Sequence, residues 1–241
     1  MTLLSIKNLN LKVPSKEEPI LSEISLEIFS GDFIVLLGSN GSGKSSLIKM
    51  INGLSKPTLG EISFKGISLA NHSIHQRAKE IVTLTQDLNL TTFSHLSVLE
   101  NCLIAAGRNQ KAKISREKIA QTLQAYHSNL REKLDEPVHL LSGGERQTLG
   151  LAMSVWCLPP LLLLDEHTSA LDPHRARSLM QLTHEVITNN QLTAIMTTHN
   201  LDDALLYGNR VIALSRGKII LDVKDKTELT KEKLLSIYRN V

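Results

Sequence analysis

Short apolar runs broken by turn residues dominate the first 86 positions. Residues 3–9, 20–29, 33–37 and 60–64 read as strands; 33–37 is apolar throughout, while the others interleave Ser, Glu, Lys or Asn. A further strand is expected over 81–85. From residue 98 to about 134 the spacing becomes helical, with Ile119, Leu123 and Tyr126 on one face and Lys, Arg and Glu between them. A helix is expected over 148–156, then an apolar strand over 161–164 that ends in Asp165 and Glu166. Beyond Asp172, helix-like and strand-like stretches alternate over 173–189, 192–198, 201–206, 210–215 and 218–222, and 230–241 predicts a terminal helix. Such alternation argues for α/β winding around a parallel sheet. No internal repeat or low-complexity tract interrupts it.

The strand at 33–37 runs directly into Gly38-Ser39-Asn40-Gly41-Ser42-Gly43-Lys44-Ser45-Ser46, and a helix pattern follows. Strand, glycine-rich turn and helix start are the context in which this pattern binds phosphate. The glycines let consecutive N–H groups curl toward an anion, and the helix N-terminus adds partial positive charge. Lys44 can reach β- and γ-phosphate oxygens, and the Ser45 hydroxyl can ligate Mg²⁺. These nine residues are the candidate phosphate-binding set.

Asp165 and Glu166 stand where a buried parallel strand delivers acids to its carboxyl edge, the edge at which open α/β sheets bind ligands. Asp165 is placed to hold the Mg²⁺ shell, and Glu166 to orient or deprotonate an attacking water. Upstream, Leu141-Ser142-Gly143-Gly144-Glu145-Arg146-Gln147 puts a serine and two glycines at a helix start, a second anion site independent of the first.

With these residues in order, the chain resembles the ATP-binding cassette (ABC) ATPases. The heptad from Leu141 looks like their signature motif, and Asp165-Glu166 like the end of their Walker B strand. Gln86 resembles the Q-loop residue, Ser169-Ala170-Leu171-Asp172 the D-loop, and His199 the switch histidine. The resemblance implies an α/β fold: a P-loop NTPase core with a parallel sheet, an antiparallel β lobe and an inserted α-helical subdomain. It implies one nucleotide-binding domain over 1–241, with core and β lobe at about 1–86 and 141–241 and the helical subdomain at about 87–140. It also implies a head-to-tail homodimer, or a pair with a similar ATPase, in which Ser142, Gly143 and Gly144 of one chain close over the ATP of the other, beside Asp172. Gln86 would sense Mg²⁺ and the γ-phosphate, and His199 would contact the γ-phosphate and the water held by Glu166. ATP and Mg²⁺ are the expected ligands. Catalysis is expected from Glu166, His199 and Gln86, and metal binding from Ser45, Gln86 and Asp165.

Bulk composition narrows the surroundings. The 27 Lys and Arg against 24 Asp and Glu give a net charge of +3, too small and too scattered for nucleic acid to be the main partner. Cys102 and Cys157 are two cysteines in a chain without a cleavable apolar leader, so a reducing cytosol is expected and both read as packing residues. The longest apolar stretch, 158–164, carries two prolines and falls far short of the ~20 residues that span a bilayer, so membrane association is expected to be peripheral, on the cytoplasmic face.

Residues 163–173, with 198–200 and 207–210, resemble a group of importers associated with amino acids, aromatic ones among them. That resemblance implies transmembrane permease subunits and a separate substrate-binding protein. The alternative is a soluble cassette ATPase of the iron–sulfur assembly type, which has a similar length. A GTP switch would need an Asn-Lys-x-Asp guanine reader, and none is present. Two details depart from the family pattern. His167 stands where a proline or alanine is common, and a specific hydrogen-bonding role for it is one of two open readings. Residues 1–28 hold no Phe, Tyr or Trp, although the resemblance places adenine stacking near Leu11 or Val13. Arg146 and Gln147 read as solvated polar positions.

Overall fold

The computed structural model describes residues 1–14, 17–107 and 114–239. Strands β1 (Thr2–Leu11), β2 (Leu21–Phe29), β4 (Leu59–Phe64) and β5 (Ile67–Ser68) form an antiparallel sheet in the order β2-β1-β4-β5. Strands β3 (Phe33–Leu37), β6 (Ile81–Thr85), β7 (Leu161–Asp165), β8 (Thr193–Thr198), β9 (Arg210–Ser215) and β10 (Lys218–Val223) form a second sheet in the order β10-β9-β3-β8-β7-β6. Only the β9–β10 pair in it is antiparallel. The fold is α/β, as expected.

Helices α1 (Lys44–Ile51), α2 (Ile74–Arg77), α3 (Val98–Gly107), α4 (Arg116–Tyr126), α5 (Gly143–Val155), α6 (Pro173–Asn189), α7 (Leu201–Leu206) and α8 (Lys231–Arg239) complete the described elements, with single 3₁₀ turns at Leu88–Leu90, Ser128–Leu130, Val138–Leu140 and Lys226–Glu228. The helix expected over 230–241 ends at Arg239 among the described residues, and 240–241 lie outside them. The helical stretch expected from 98 to 134 resolves into α3 and α4, while 108–113 likewise lie outside the described residues.

Period-two packing on both sides of the large sheet explains its uninterrupted apolar strands. Leu161 and Leu163 of β7 join one cluster with Ile34 and Leu36 of β3 and the apolar face of β1 and β2. Leu162 and Leu164 join another with Phe33, Val35, Leu37 and the α6 residues Leu179, Met180, Val186 and Ile187. A strand covered on both faces has no solvent side to make polar. A third cluster gathers Val98, Cys102, Ile119, Leu123 and Leu130 against Leu149, Ala152 and Met153 of α5, whose opposite face gives Leu151 and Val155 to the sheet. Helix α5 therefore lies between two cores.

Two polar devices tie β9 and the β9–β10 turn to their neighbours. Arg210, 3 % exposed, is held by the Asp222 carboxylate at 2.7 and 2.8 Å, by Asp32 at 2.9 Å and by the Glu27 carbonyl at 2.7 Å, which ties β9 to β10 and β2. In the β9–β10 turn, Gly217 N–H donates to the Ser42 carbonyl at 3.0 Å, and its own carbonyl accepts from Ser22 N–H at 2.9 Å. A Cβ at Gly217 would stand 2.4 Å from the Ile20 carbonyl oxygen, so the turn admits only glycine there.

Candidate functional site

Strand register brings the chemistry together. Leu37 pairs with Thr198, Asp165 with Thr197, and Thr85 with Asp165, so β3, β6, β7 and β8 end on one edge. The residues just past those ends are Gly38, Gln86, Glu166 and His199. Backbone bonds continue the ladder there: Gly38 N–H donates to the Thr198 carbonyl at 3.2 Å, and Gln86 N–H to the Asp165 carbonyl at 3.1 Å.

The glycine loop closes tightly on itself. A Cβ at Gly38 would lie 2.4 Å from Ser42 Oγ and 2.8 Å from the Leu214 carbonyl, so the loop cannot pass β9 with a side chain there. Gly43 caps α1 at φ 109° without a side-chain hydrogen bond, which leaves the first N–H groups of α1 turned toward the loop. Lys44 is 4 % exposed; its Nζ donates to the carbonyls of Gly38 at 2.8 Å and Ser39 at 3.2 Å and pairs with Glu166 at 3.3 Å. Ser45 Oγ donates to Asp165 Oδ1 at 3.1 Å. The same oxygen accepts from Thr197 Oγ1 at 2.8 Å, and Thr197 Oγ1 accepts from Glu166 N–H at 3.0 Å. Thr197 was not foreseen from the sequence, where it is one more strand residue. Ser39, Asn40 and Gly41 are exposed at the loop's crest, and Ser46 follows in the first turn of α1.

These residues fit a magnesium nucleotide. Ser42 Oγ is buried without a hydrogen-bond partner in a cradle of backbone N–H groups, and Lys44 offers a cation at its base. Ser45 and Asp165 supply one hydroxyl and one carboxylate, in keeping with the one or two protein ligands Mg²⁺ takes when phosphates complete its shell. Gln86 lines the same cleft as Ser45, Asp165 and Glu166. His199 is exposed, with Nδ1 3.9 Å from Glu166 Oε1.

The second glycine motif stands apart from the first. Ser142 is the N-cap of α5 and accepts from Glu145 N–H at 3.3 Å, while Glu145 accepts from Ser142 N–H at 2.8 Å. Burial alone would raise the Glu145 carboxyl, but Lys133 at 2.8 Å and Ser142 hold it down at about 2. The helix thus begins at the signature itself, five residues earlier than the hydrophobic pattern suggested. Ser142 and Gly143 are exposed, and the nearest groups to Gly143 and Gly144 are Leu171 and Arg175, not the glycine loop. Asp172 caps α6 by accepting from the N–H groups of His174 and Arg175, both at 3.1 Å, and those bonds keep its carboxyl below the usual range.

Two sequence readings change. Gln147, expected in solvent, is 2 % exposed and donates through Nε2 to the His167 carbonyl; Arg146 likewise has its Nε buried. Gln147 faces the β7–α6 connection that carries His167 while Arg146 is half-buried, so polarity was a poor guide to exposure, most of all for Gln147. His167 is 1 % exposed, its Nε2 is 3.1 Å from Thr183 Oγ1, and burial pushes its pKa down to about 4. Of the two readings of His167, the hydrogen-bonded one is found.

Residues 21–169 match the family model described as ABC transporter. Over 247 aligned residues the chain is 36% identical to the tyrosine transport ATP-binding protein of Clostridioides difficile, covering 98% of each. It is 31% identical to the energy-coupling factor transporter ATP-binding protein EcfA1 of Mycoplasmopsis synoviae, over 94% of this chain and 84% of that protein. Among solved structures, cbiO1 of Clostridium perfringens, part of the ABC transporter complex cbiONQ, superposes with a TM-score of 0.79 at 27% identity over 98% of this chain and 93% of that one. A dimeric ATP-binding cassette in a post-hydrolysis state with ADP and Pi gives 0.77 at 26% identity, over 92% and 98%. With a phosphate loop, an acid-bearing strand and a signature helix matched end to end by these proteins, the chain belongs to the ABC transporter family and is one of its ATP-hydrolysing, ATP-binding subunits.

Proposed function

We propose that this chain energises a membrane importer for a small solute of the amino-acid type. The observation that carries the reading is the gathering of Lys44, Ser45, Gln86, Asp165, Glu166 and His199 on one sheet edge, while Ser142 stands exposed elsewhere. The importer and its solute class rest on the likeness to the tyrosine transport ATP-binding protein. Among the described residues no helix is long and apolar enough to cross a membrane. In the proposed complex the membrane path belongs to permease subunits, against which the chain docks from the cytoplasmic face. A separate substrate-binding protein completes the set.

In this reading the loop from Gly38 to Ser46 cradles the phosphates, and Lys44 exchanges its loop carbonyls for β- and γ-oxygens. Ser45 and Asp165 would hold Mg²⁺, with Gln86 beside them; the ion supplies charge neutralisation to the phosphates. Glu166 accepts a proton as water attacks the γ-phosphorus, the bond to the β–γ bridging oxygen breaks, and ADP and Pi are released. His199 steadies the attacking water and the γ-phosphate. Ser142, Gly143 and Gly144 of a second copy complete the site beside Asp172, and residues 87–140 act as a helical body hinged at Gln86 and the signature.

Capture of the chain from gently solubilised membranes tests this. Co-purification of an integral membrane protein, with ATP-dependent uptake of labelled tyrosine or tryptophan by the reconstituted complex, is the expected result. Recovery with soluble cluster-assembly proteins and no membrane subunit would overturn the transport reading in favour of the iron–sulfur alternative.

Base selectivity is expected to be weak. Leu11 and Val13 are half-buried at the end of β1, and Lys12 N–H is tethered to Thr58 Oγ1 at 2.8 Å, so this segment offers apolar contact without a ring face. Phosphate contacts then supply most of the affinity, and they are alike in every nucleoside triphosphate. GTP should compete with ATP within about threefold, and Val13→Tyr should tighten ATP by about tenfold, the lower end of what one stacked base contributes. A strong ATP preference in competition binding would show that another group reads the adenine.

A further inference from the structure

We infer that Gln147 and His167 are positioning residues that hold Glu166 in a strained backbone conformation and tie it to the signature helix of its own chain. Glu166 lies at φ 46°, left-handed for a residue with a long side chain. Such a conformation is unfavourable for a residue with a Cβ and persists only where its neighbours fix it. Each neighbouring group does so. Glu166 N–H donates to Thr197 Oγ1 at 3.0 Å, and its carbonyl accepts from Ser169 N–H at 3.0 Å and Ser169 Oγ at 2.8 Å.

The next residue is held still more firmly. The carbonyl of His167 accepts from Gln147 Nε2 on α5, and its ring reaches Thr183 on α6. Thr183 Oγ1 spends its one proton on the Leu179 carbonyl at 2.7 Å, so toward His167 it can only accept. The imidazole is therefore the Nε2–H tautomer and donates. With His167, Gln147 and Thr183 all buried, water cannot replace any of these bonds.

Gln147 lies about 7.5 Å along α5 from Ser142, five residues at about 1.5 Å each, on a helix packed between two cores. A continuous strut thus runs from Ser142 through α5 and Gln147 to His167 and Glu166. Under the proposed trans arrangement, on which this part rests, Ser142 serves the partner's nucleotide and Glu166 the chain's own. The strut then links the two sites of a dimer through a single chain.

Mixed dimers test this. One chain carries Ser142→Arg and the other Lys44→Ala, so the one competent site takes Glu166 from the first chain and the signature from the second. Gln147→Ala or His167→Leu is then added to either chain. We expect kcat to fall about 10- to 100-fold, with ATP affinity unchanged, when the first chain carries the change, and at least tenfold less when the second does. His167→Gln, which keeps an N–H donor near the place of Nε2, should recover most of the loss. Equal losses from both placements, a larger loss from the second, or no recovery with Gln would overturn the inference. A dead parental mixed dimer would instead overturn the trans arrangement, and the homodimeric variants then decide. A fall in kcat without a change in ATP affinity supports positioning; an unchanged kcat, or a matching loss of binding, overturns it.

Discussion

Glu166→Gln is expected to stop turnover while nucleotide binding survives, and the variant should accumulate as a closed dimer in ATP and Mg²⁺. The amide matches the carboxylate in shape but cannot accept the proton of the attacking water, and loss of a general base costs about 10²–10⁴ in rate. Binding should also tighten. Lys44 pairs with Glu166 at 3.3 Å beneath the loop, and a neutral side chain releases that cation to the phosphates. Hydrolysis assays with gel filtration check both effects: an unshifted monomer with wild-type turnover would remove Glu166 from the chemistry.

Mixing two inactive variants should restore activity. Ser142→Arg blocks the signature and Lys44→Ala strips the phosphate loop of its cation, so each homodimer is expected to lose turnover by two orders of magnitude or more, about the worth of several kcal/mol of phosphate charge stabilisation. A mixed dimer keeps one intact composite site, so an equimolar mixture should regain about a quarter of the wild-type rate: half of its dimers are mixed, and each has one site of two. The geometry behind this is the separation already described, with Ser142 and Gly143 exposed, Leu171 beside Gly143 and Arg175 beside Gly144, and Lys44 beside neither. A mixture as dead as its parents, with dimers demonstrated, would place both anion sites in one chain.

Much of the fold was legible because its strongest signals are local. The runs at Phe33–Leu37, Ile81–Thr85 and Leu161–Asp165 are short, apolar and bounded by turn or polar residues, and each forms a strand over those residues. Asp172 and Pro173 announce the start of α6, where one caps and the other occupies the first turn. The short elements β5 and α2 were missed: two exposed residues and one turn with no buried side chain leave no periodicity to read. The phosphate loop and the acid pair could be seen because of where they stand: the glycines lie between a strand and a helix start, and the two carboxylates close an apolar run. Thr197, Gln147 and Thr183 could not. Their hydrogen bonds depend on which elements meet in space, and nothing beside them in the chain encodes that meeting.

The glycine loop is braced by the far end of the chain, and this has a consequence for how the molecule is made. Strand β3 finds its ladder partners only in β8 and β9, and the loop's Ser42 carbonyl is held by Gly217. Chains leave the ribosome N-terminus first, at about 5–20 residues per second. The phosphate loop is therefore among the first segments to emerge and among the last to acquire its shape. A nascent chain is therefore expected not to bind nucleotide while its signature helix and acid pair are still being synthesised. Competence for ATP is expected to arrive with the closing hairpin, so a chain cut between residues 199 and 217 should carry the phosphate loop, the acid pair and His199 and yet hold nucleotide poorly, because the Gly217 brace on Ser42 is missing.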